Sequence, residues 1–211
     1  MENSEQLNWN EIQIDALTEI MNLGIGVAAS SLSEMVDEEV EMNIPLLRVV
    51  SRQDVSKELS DQCPDGMSYV SQDFTGSFSG RSALLFPVQQ SFSLVKALLK
   101  DEIIDDDLTE MEREALSEVG NVILNACIAT LVDTLEVPIE VDIPHYVRGG
   151  AVDMLIDGDP DLVESATNLF CAVTFKTVQS GIEGYVVFLL GLQSAKALQD
   201  SVENYIQQVL V

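Results

Sequence analysis

The chain has 211 residues, of which 46% are hydrophobic and 6% aromatic, a composition that suits one sizeable core or two small ones and excludes a disordered segment. Ten basic residues against 36 acidic ones leave a formal charge of −26, which disfavours both nucleic acid and an anionic membrane leaflet as partners. Cys63, Cys127 and Cys171 are odd in number and widely spaced, so they are expected to be reduced and packed, with no disulfide framework and no metal-type pair. The acidic start, Met-Glu-Asn-Ser-Glu, has the wrong sign for a signal peptide, and the longest strongly apolar stretch, near 186–192, is too short to cross a bilayer. A cytoplasmic monomer is the expectation.

In chain order, periodicity predicts a long helix over 10–35, with Asn8 or Asn10 as N-cap, then a strand within 40–50. Irregular or short helical segments lead to two hairpin-like strands over 68–75 and 78–86, closed by a helix over 89–100. An acidic stretch, 101–107, reads as a solvated linker and helix cap. The second long helix is predicted over 108–135, with Asp107 and Glu110, or Thr109 and Glu112, at capping-box spacing. A strand within 139–147, hairpin strands over 169–177 and 181–190, and a helix over 193–210 complete the chain.

This element order occurs twice because the sequence itself is repeated. Asp15, Glu19 and Asn22 are followed by Pro45, with 22 residues between Asn22 and the proline; Glu114, Glu118 and Asn121 are followed by Pro144 at the same interval, offset by 99 residues. Further on, Phe78-Ser-Gly80 through Val88 resembles Ile182-Glu-Gly184 through Leu192. The expected organisation is one domain of two repeats, about 8–100 and 107–211.

On a 3.6-residue helix, Asp15 and Asn22 fall within about 60° of Glu19, and Gly26, Ser30 and Ser33 share that sector. Ala16, Leu17, Ile20, Gly24, Val27 and Ala28 are assigned to the opposite, buried side. The second helix repeats the design, with Glu114, Glu118, Asn121 and Asn125 opposite Ala115, Leu116, Val119, Ile123 and Ala126. A single Glu-x-x-Asn on a wet helix face is ordinary. Glu, Asn and Pro in one fixed register arise by chance at on the order of one in ten thousand per position, and two equivalent occurrences are much rarer. Gly26, Ser30 and Ser33 cost helix propensity and solvate poorly, but they let another protein approach closely, as a docking face requires.

These residues resemble the CheC family of chemotaxis phosphatases, which includes CheX and FliY. The stretch from Glu19 to Ala29, the segment Ser117-Glu-Val-Gly-Asn121 and the two-fold Glu/Asn/Pro pattern carry the likeness, and two motifs in about 200 residues are most like the two-site CheC type. The resemblance implies an α/β (α+β) fold with pseudo-twofold symmetry, an antiparallel sheet built from both halves, and two long motif helices presenting their sites outward. It implies a phosphatase acting on the phospho-aspartate of a CheY-like bacterial response regulator: Asn22 and Asn121 orient the attacking water, while Glu19 and Glu118 pair with the regulator's Lys. Asp15, Glu114, Pro45 and Pro144 are supporting motif positions, and Gly26, Ser30, Ser33 and Asn125 form the docking face. No metal or cofactor is expected in this chain; Mg²⁺ belongs to the regulator. Glu114 departs from the family's usual Asp or Ser, which singles out the second site as altered in activity or partner. The competing readings are a non-enzymatic adaptor of the same fold and a regulator of a CheD-type deamidase.

Other features carry less. His145, the sole histidine, follows Pro144 at a strand and reads as structural. Asp157-Gly-Asp159-Pro-Asp161 fails the EF-hand pattern at the Gly and Glu positions and reads as an acidic turn. Gly24-x-Gly26 lies inside a helix, which excludes a dinucleotide loop. Trp9 is either an anchor for the first helix or a contact residue.

Overall fold

The computed structural model describes residues 7–43, 45–99, 108–151, 155 and 167–209. Five helices and eight strands alternate through them. Helix α1 (Glu11–Val36) leads to strands β1 (Val40–Met42) and β2 (Leu46–Ser51), helix α2 (Arg52–Gln62), the hairpin β3 (Met67–Gly76) and β4 (Gly80–Pro87), and helix α3 (Val88–Leu99). Helix α4 (Leu108–Leu135) opens the same order again, with β5 (Ile139–Val141), β6 (His145–Gly149), the hairpin β7 (Thr167–Thr177) and β8 (Glu183–Leu190), and helix α5 (Leu192–Val209). The acidic stretch 101–107 and the turn at Asp157–Asp161 lie outside the described residues.

Both long helices begin and end for local reasons. Asn10 is the N-cap of α1: its side chain accepts from the Gln13 N–H at 2.9 Å, and Gln13 Oε1 accepts from the Asn10 N–H at 3.2 Å. Of the capping pairs expected for α4, the side chains of Asp107 and Thr109 lie outside what the structure describes. Glu110 pairs with Arg113, and the Glu112 side chain is fully buried. At their other ends the helices stop alike. Asp37 and Glu136, 99 residues apart, adopt left-handed φ of 59° and 53°, and the next residues, Glu38 and Val137, donate back to the carbonyls of Ser33 and Val132 at 3.2 Å. This six-to-one bond satisfies carbonyls the helix would otherwise leave open.

The sheet is antiparallel at each pairing, with the order β1/β2–β7–β8–β4–β3–β5/β6. The halves exchange strands: β1 and β2 pair with β7 of the second half, and β5 and β6 pair with β3 of the first. Each strand expected as continuous after a long helix is broken in two. The break falls at Pro45 and Pro144, which have no N–H to give to the ladder. One residue before each gap the ladder is still intact, since Asn43 N–H donates to Thr174 O and Asp142 N–H to Asp73 O, both at 2.9 Å.

Both faces of the sheet are covered. Val70, Phe74, Leu84, Phe86, Val173, Phe175, Val186 and Phe188 face the larger core with α1, α3, α4 and α5. Tyr69, Ala83, Leu85, Phe170, Val187 and Leu189 pack on Val55 and Leu59 of α2. Burial on both faces explains why β8 reads as an unbroken apolar run. By length and composition α1 and most of α4 are apolar enough to cross a membrane, a property the sequence reading assigned to no segment; here their apolar faces form the centre of the larger core. All three cysteines are buried and free, as expected. Trp9 packs against the larger core, so it anchors the start of α1.

Two close approaches set the heights of the long helices. A Cβ on Gly24 would stand 3.0 Å from Cys127 Cα and 3.2 Å from Thr130 Cβ, so the missing side chain is what lets α1 and α4 meet. A Cβ on Gly120 would stand 2.6 Å from a methyl of Val70, so α4 rests directly on β3. Gly26 faces open space. Gly120→Ala is therefore expected to destabilise the fold by about 1–3 kcal/mol through overpacking. Gly26→Ala should stabilise it by up to about 1 kcal/mol through helix propensity; urea unfolding of the two variants reads the opposite signs.

Glu38, just past the end of α1, ties that helix to the β7–β8 turn: its carboxylate accepts from the Gln179 and Ser180 N–H groups at 2.9 Å and from the Ser180 hydroxyl. Partial burial opposes ionisation, but the bonds from Ser180 and Gln179 outweigh it and hold the carboxyl below its usual range. A depressed native value means that this contribution is present above the ordinary Glu value of about 4.3 and is lost as pH falls through the native value. Glu38→Gln is expected to lower the melting temperature by about 1–2 °C at neutral pH, a small effect because the site is solvent-screened. The difference from wild type should shrink in melts taken below about pH 4.

Candidate functional site

Near its start, each motif helix is braced by a buried polar residue at the same repeat position. On α1, Gln13 Nε2 donates to Glu203 Oε2 and Gln13 Oε1 accepts from Gln199 Nε2, both at 2.9 Å, joining α1 to α5. On α4 the equivalent residue is Glu112, whose Oε1 accepts from the hydroxyls of Ser68 at 2.8 Å and Ser91 at 2.7 Å, joining α4 to β3 and α3. Arg148 Nη1 lies 3.9 Å from its second oxygen. Each brace stands two residues before the leading carboxylate of its motif, Asp15 or Glu114, and so fixes the rotation of the helix about its axis.

That rotation sends Leu17, Ile20, Met21, Gly24, Ile25, Ala28 and Leu32 inward, and Leu116, Val119, Ile123, Leu124 and Cys127 likewise on α4. Asp15, Glu19, Gly26 and Ser30 are exposed and Asn22 is half-buried; Glu114 and Glu118 are exposed, and Asn121 and Asn125 are half-buried. The expected sectors therefore hold, with two corrections. Val27 is 53% exposed and lies on the outer side of α1, because it sits only about 80° from Glu19. Ser33 is not free for docking, since its hydroxyl donates to Glu38 O at 2.5 Å across the C-cap. Ser30 donates to Gly26 O at 3.0 Å, a local back-bond that leaves its face accessible.

The two constellations are not copies in detail. Among the described residues no hydrogen-bond or ion-pair partner is present for the side chains of Asp15, Glu19, Asn22 or Glu118, whereas Glu114 attracts the neighbouring Arg113 electrostatically. Asn121 differs, because its Oδ1 accepts from Asn125 Nδ2 at 2.8 Å; the equivalent of Asn125 on α1 is Gly26. The second motif also borders a depression of about 360 Å³ lined by Arg113, Glu114, Ser117, Glu118, Asn121 and Pro144. Its motif proline is thus beside the Glu and Asn, half-buried, whereas Pro45 is buried. Arg113 is engaged with Glu110 at the exposed start of α4.

Such a surface offers acceptors from two carboxylates per helix and both halves of a carboxamide, and it brings no cation of its own next to Glu19. Its chemistry is to receive a cationic centre and to orient a small polar molecule. The buried thiols are no rivals, because burial pushes Cys127 and Cys171 up to about 12 and leaves them inert as nucleophiles. His145, next to the motif Pro144, is exposed on the rim of a separate groove with Asp142, Asp73, Arg81 and Tyr69. What the sequence reading missed is the apolar character of the outer face of α1. Ile12, Leu23 and Val27 are all exposed there, and their angles on the helical wheel were the signal that could have shown it.

A model described as the CheC-like family matches residues 12–45, which run from the first turn of α1 through Asp15, Glu19 and Asn22 to Pro45. The CheY-P phosphatase CheC of Bacillus subtilis is 26% identical over 141 residues, covering 64% of this chain and 66% of that protein. The flagellar motor switch phosphatase FliY of the same organism is 25% identical over 143 residues, again 64% of this chain but 35% of that protein. The chain thus spans just under two thirds of one relative and about a third of the other. Among solved structures, FliY of Thermotoga maritima superposes with a TM-score of 0.73 at 16% identity, covering 94% of this chain and all of that one. CheX of Borrelia burgdorferi, in a complex with CheY, BeF3 and Mg²⁺, superposes at 0.51 with 19% identity, covering 88% of this chain and 98% of that one. At those identities the two structures speak for the fold alone. The motif segment is thus similar to the CheC-like family, the chain is similar in sequence to CheC and FliY, and its fold is shared with FliY and CheX.

Proposed function

We propose that the chain removes the phosphoryl group from the phospho-aspartate of a CheY-like response regulator, using Glu19 with Asn22 and Glu118 with Asn121. The observation that carries this reading is the pairing, on each of two long helices, of an exposed, unpartnered Glu with an Asn one turn further on, on a face clear of the chain's own core. It agrees with the name of the B. subtilis relative and with the CheX–CheY complex among the structures of like fold.

The reaction asks little covalent chemistry of this protein. Water attacks phosphorus in line as the P–O bond to aspartate breaks; the carboxylate is regenerated, and the water's protons leave on the phosphate as H₂PO₄⁻. Positioning and charge stabilisation dominate such a transfer. The Asn carboxamide holds the water in line, and the Glu carboxylate pairs with the regulator's Lys, which fixes the helix in register. Mg²⁺ is supplied by the regulator, beside its phosphorylated Asp. At the second site Asn125 holds the Asn121 carboxamide through one lone pair of Oδ1 and leaves the second lone pair and the Nδ2 hydrogens for the reaction. Such a partner is met in the cytoplasm. The same relationship makes a CheD-like deamidase a second protein to test by direct binding.

Phosphate release from a phosphorylated CheY-like receiver tests the reading. The Asn22→Ala, Asn121→Ala double variant is expected to fall about 100-fold, towards the receiver's own rate, with each single variant losing the share of its site. Full activity in the double variant would sink the assignment of these residues, and absence of acceleration by wild type would favour a non-enzymatic adaptor.

A further inference from the structure

The face of α1 that carries Glu19 and Asn22 is not an ordinary solvated helix face. Ile12, Leu23 and Val27 stand on it 64%, 54% and 53% exposed. They lie within about 80° of Glu19 around the helix, interleaved with Asp15, Asn22 and Gly26. None of the three packs against either buried cluster. An exposed helix face without a partner carries long charged side chains, whereas this one presents branched apolar groups around a carboxylate.

The second motif helix provides the comparison within the molecule. At the 99-residue offset the counterparts are Met111, Val122 and Ala126. All three are half-buried, and none is among the exposed large hydrophobics. Asn125 takes the place of Gly26. The first site is therefore apolar and open, the second more polar and internally held.

We propose that Ile12, Leu23 and Val27 form an apolar rim that seats the phosphorylated receiver at the first site, so that the two sites differ in affinity for the same partner. The inference rests on the phosphatase reading, and geometry names the occupant. Leu23 directly follows Asn22, and a Cβ placed on Gly26 would meet nothing within 4 Å. A protein that brings a phospho-aspartate to Asn22 must therefore cover Leu23, Gly26 and Val27 as it docks. The charge pattern fits as well. Asp15 and Glu19 within an apolar surround complement the cationic Lys and Mg²⁺ centre of a receiver, and contact with the surround excludes water from the ion pair. Since the rim contacts the partner before and after phosphoryl loss, it contributes to binding and not to the chemical step.

The test is steady-state phosphate release in the Asn121→Ala background, where only the first site works. Leu23→Ser combined with Val27→Ser is expected to raise KM about tenfold while kcat stays within about twofold. Leu23→Met should restore most of the affinity lost in Leu23→Ser, and Val178→Ser, at an exposed valine of the β7–β8 turn, should change neither constant. In the converse Asn22→Ala background, Val122→Leu with Ala126→Val should lower the KM of the second site. An unchanged KM in the Leu23→Ser, Val27→Ser variant, with Asn22→Ala still abolishing release, overturns the rim but leaves the phosphatase reading standing. So does a variant whose only change is loss of self-association by sedimentation, which would assign the patch to a second copy. No acceleration by the wild-type chain overturns the phosphatase reading, and the occupant named here falls with it.

Discussion

The structure depends on the close crossing of α1 and α4 above the sheet. Gly24 has no side chain where it meets the backbone of Cys127, and Gly120 has none where α4 rests on Val70. Two 26- and 28-residue helices packed this tightly must each commit one stripe to the shared core. Whatever lies opposite that stripe is then held outward by the same packing. The Glu and Asn of each motif owe their accessibility to the fully buried Leu17, Ile20, Ala28, Leu116, Val119 and Ile123 behind them. Each of the Leu, Ile and Val side chains among them contributes about 1.5–3 kcal/mol by leaving water, far more than any solvent-facing preference of the motif residues themselves.

The exchanged strands extend this constraint to the whole chain. Because β1 and β2 complete the sheet beside β7, and β5 and β6 beside β3, neither half can form its own edge without the other. The helices are exchanged in the same sense, with Gln13 bonded to α5 and Glu112 to α3. The motif helix of one half is thus oriented by elements of both. The two sites themselves share no residue.

Within that common frame the two sites have diverged at a few positions. Gly26 and Asn125, Leu23 and Val122, and Val27 and Ala126 are equivalent in the repeat and unlike in character. One helix offers an open apolar surface around an unrestrained carboxamide. The other offers a polar depression and a carboxamide already held by its neighbour. Binding free energy comes from desolvated apolar area, while orientation of a reacting water comes from a side chain that is already ordered, and different residues supply the two. The excess of negative charge suits both sites to a partner that supplies the cations.

The sequence by itself determined the elements and the outward stripe. The bounds of α4, the N-cap of α1 at one of its two candidates, both hairpins and the angular sector of Glu19 and Asn22 follow from periodicity and local capping, which act over a few residues and are written in consecutive positions. Even the strand breaks at Pro45 and Pro144 follow from a missing N–H that the sequence displays. Only the tertiary structure decided the strand order, the exchange between halves and the burial of Glu112. Each of those depends on which distant segment fills the space beside a residue. Glu112 is buried because Ser68 and Ser91 arrive from the other half to receive it. Contacts between residues far apart in sequence are set by packing of the whole, and no local pattern encodes them.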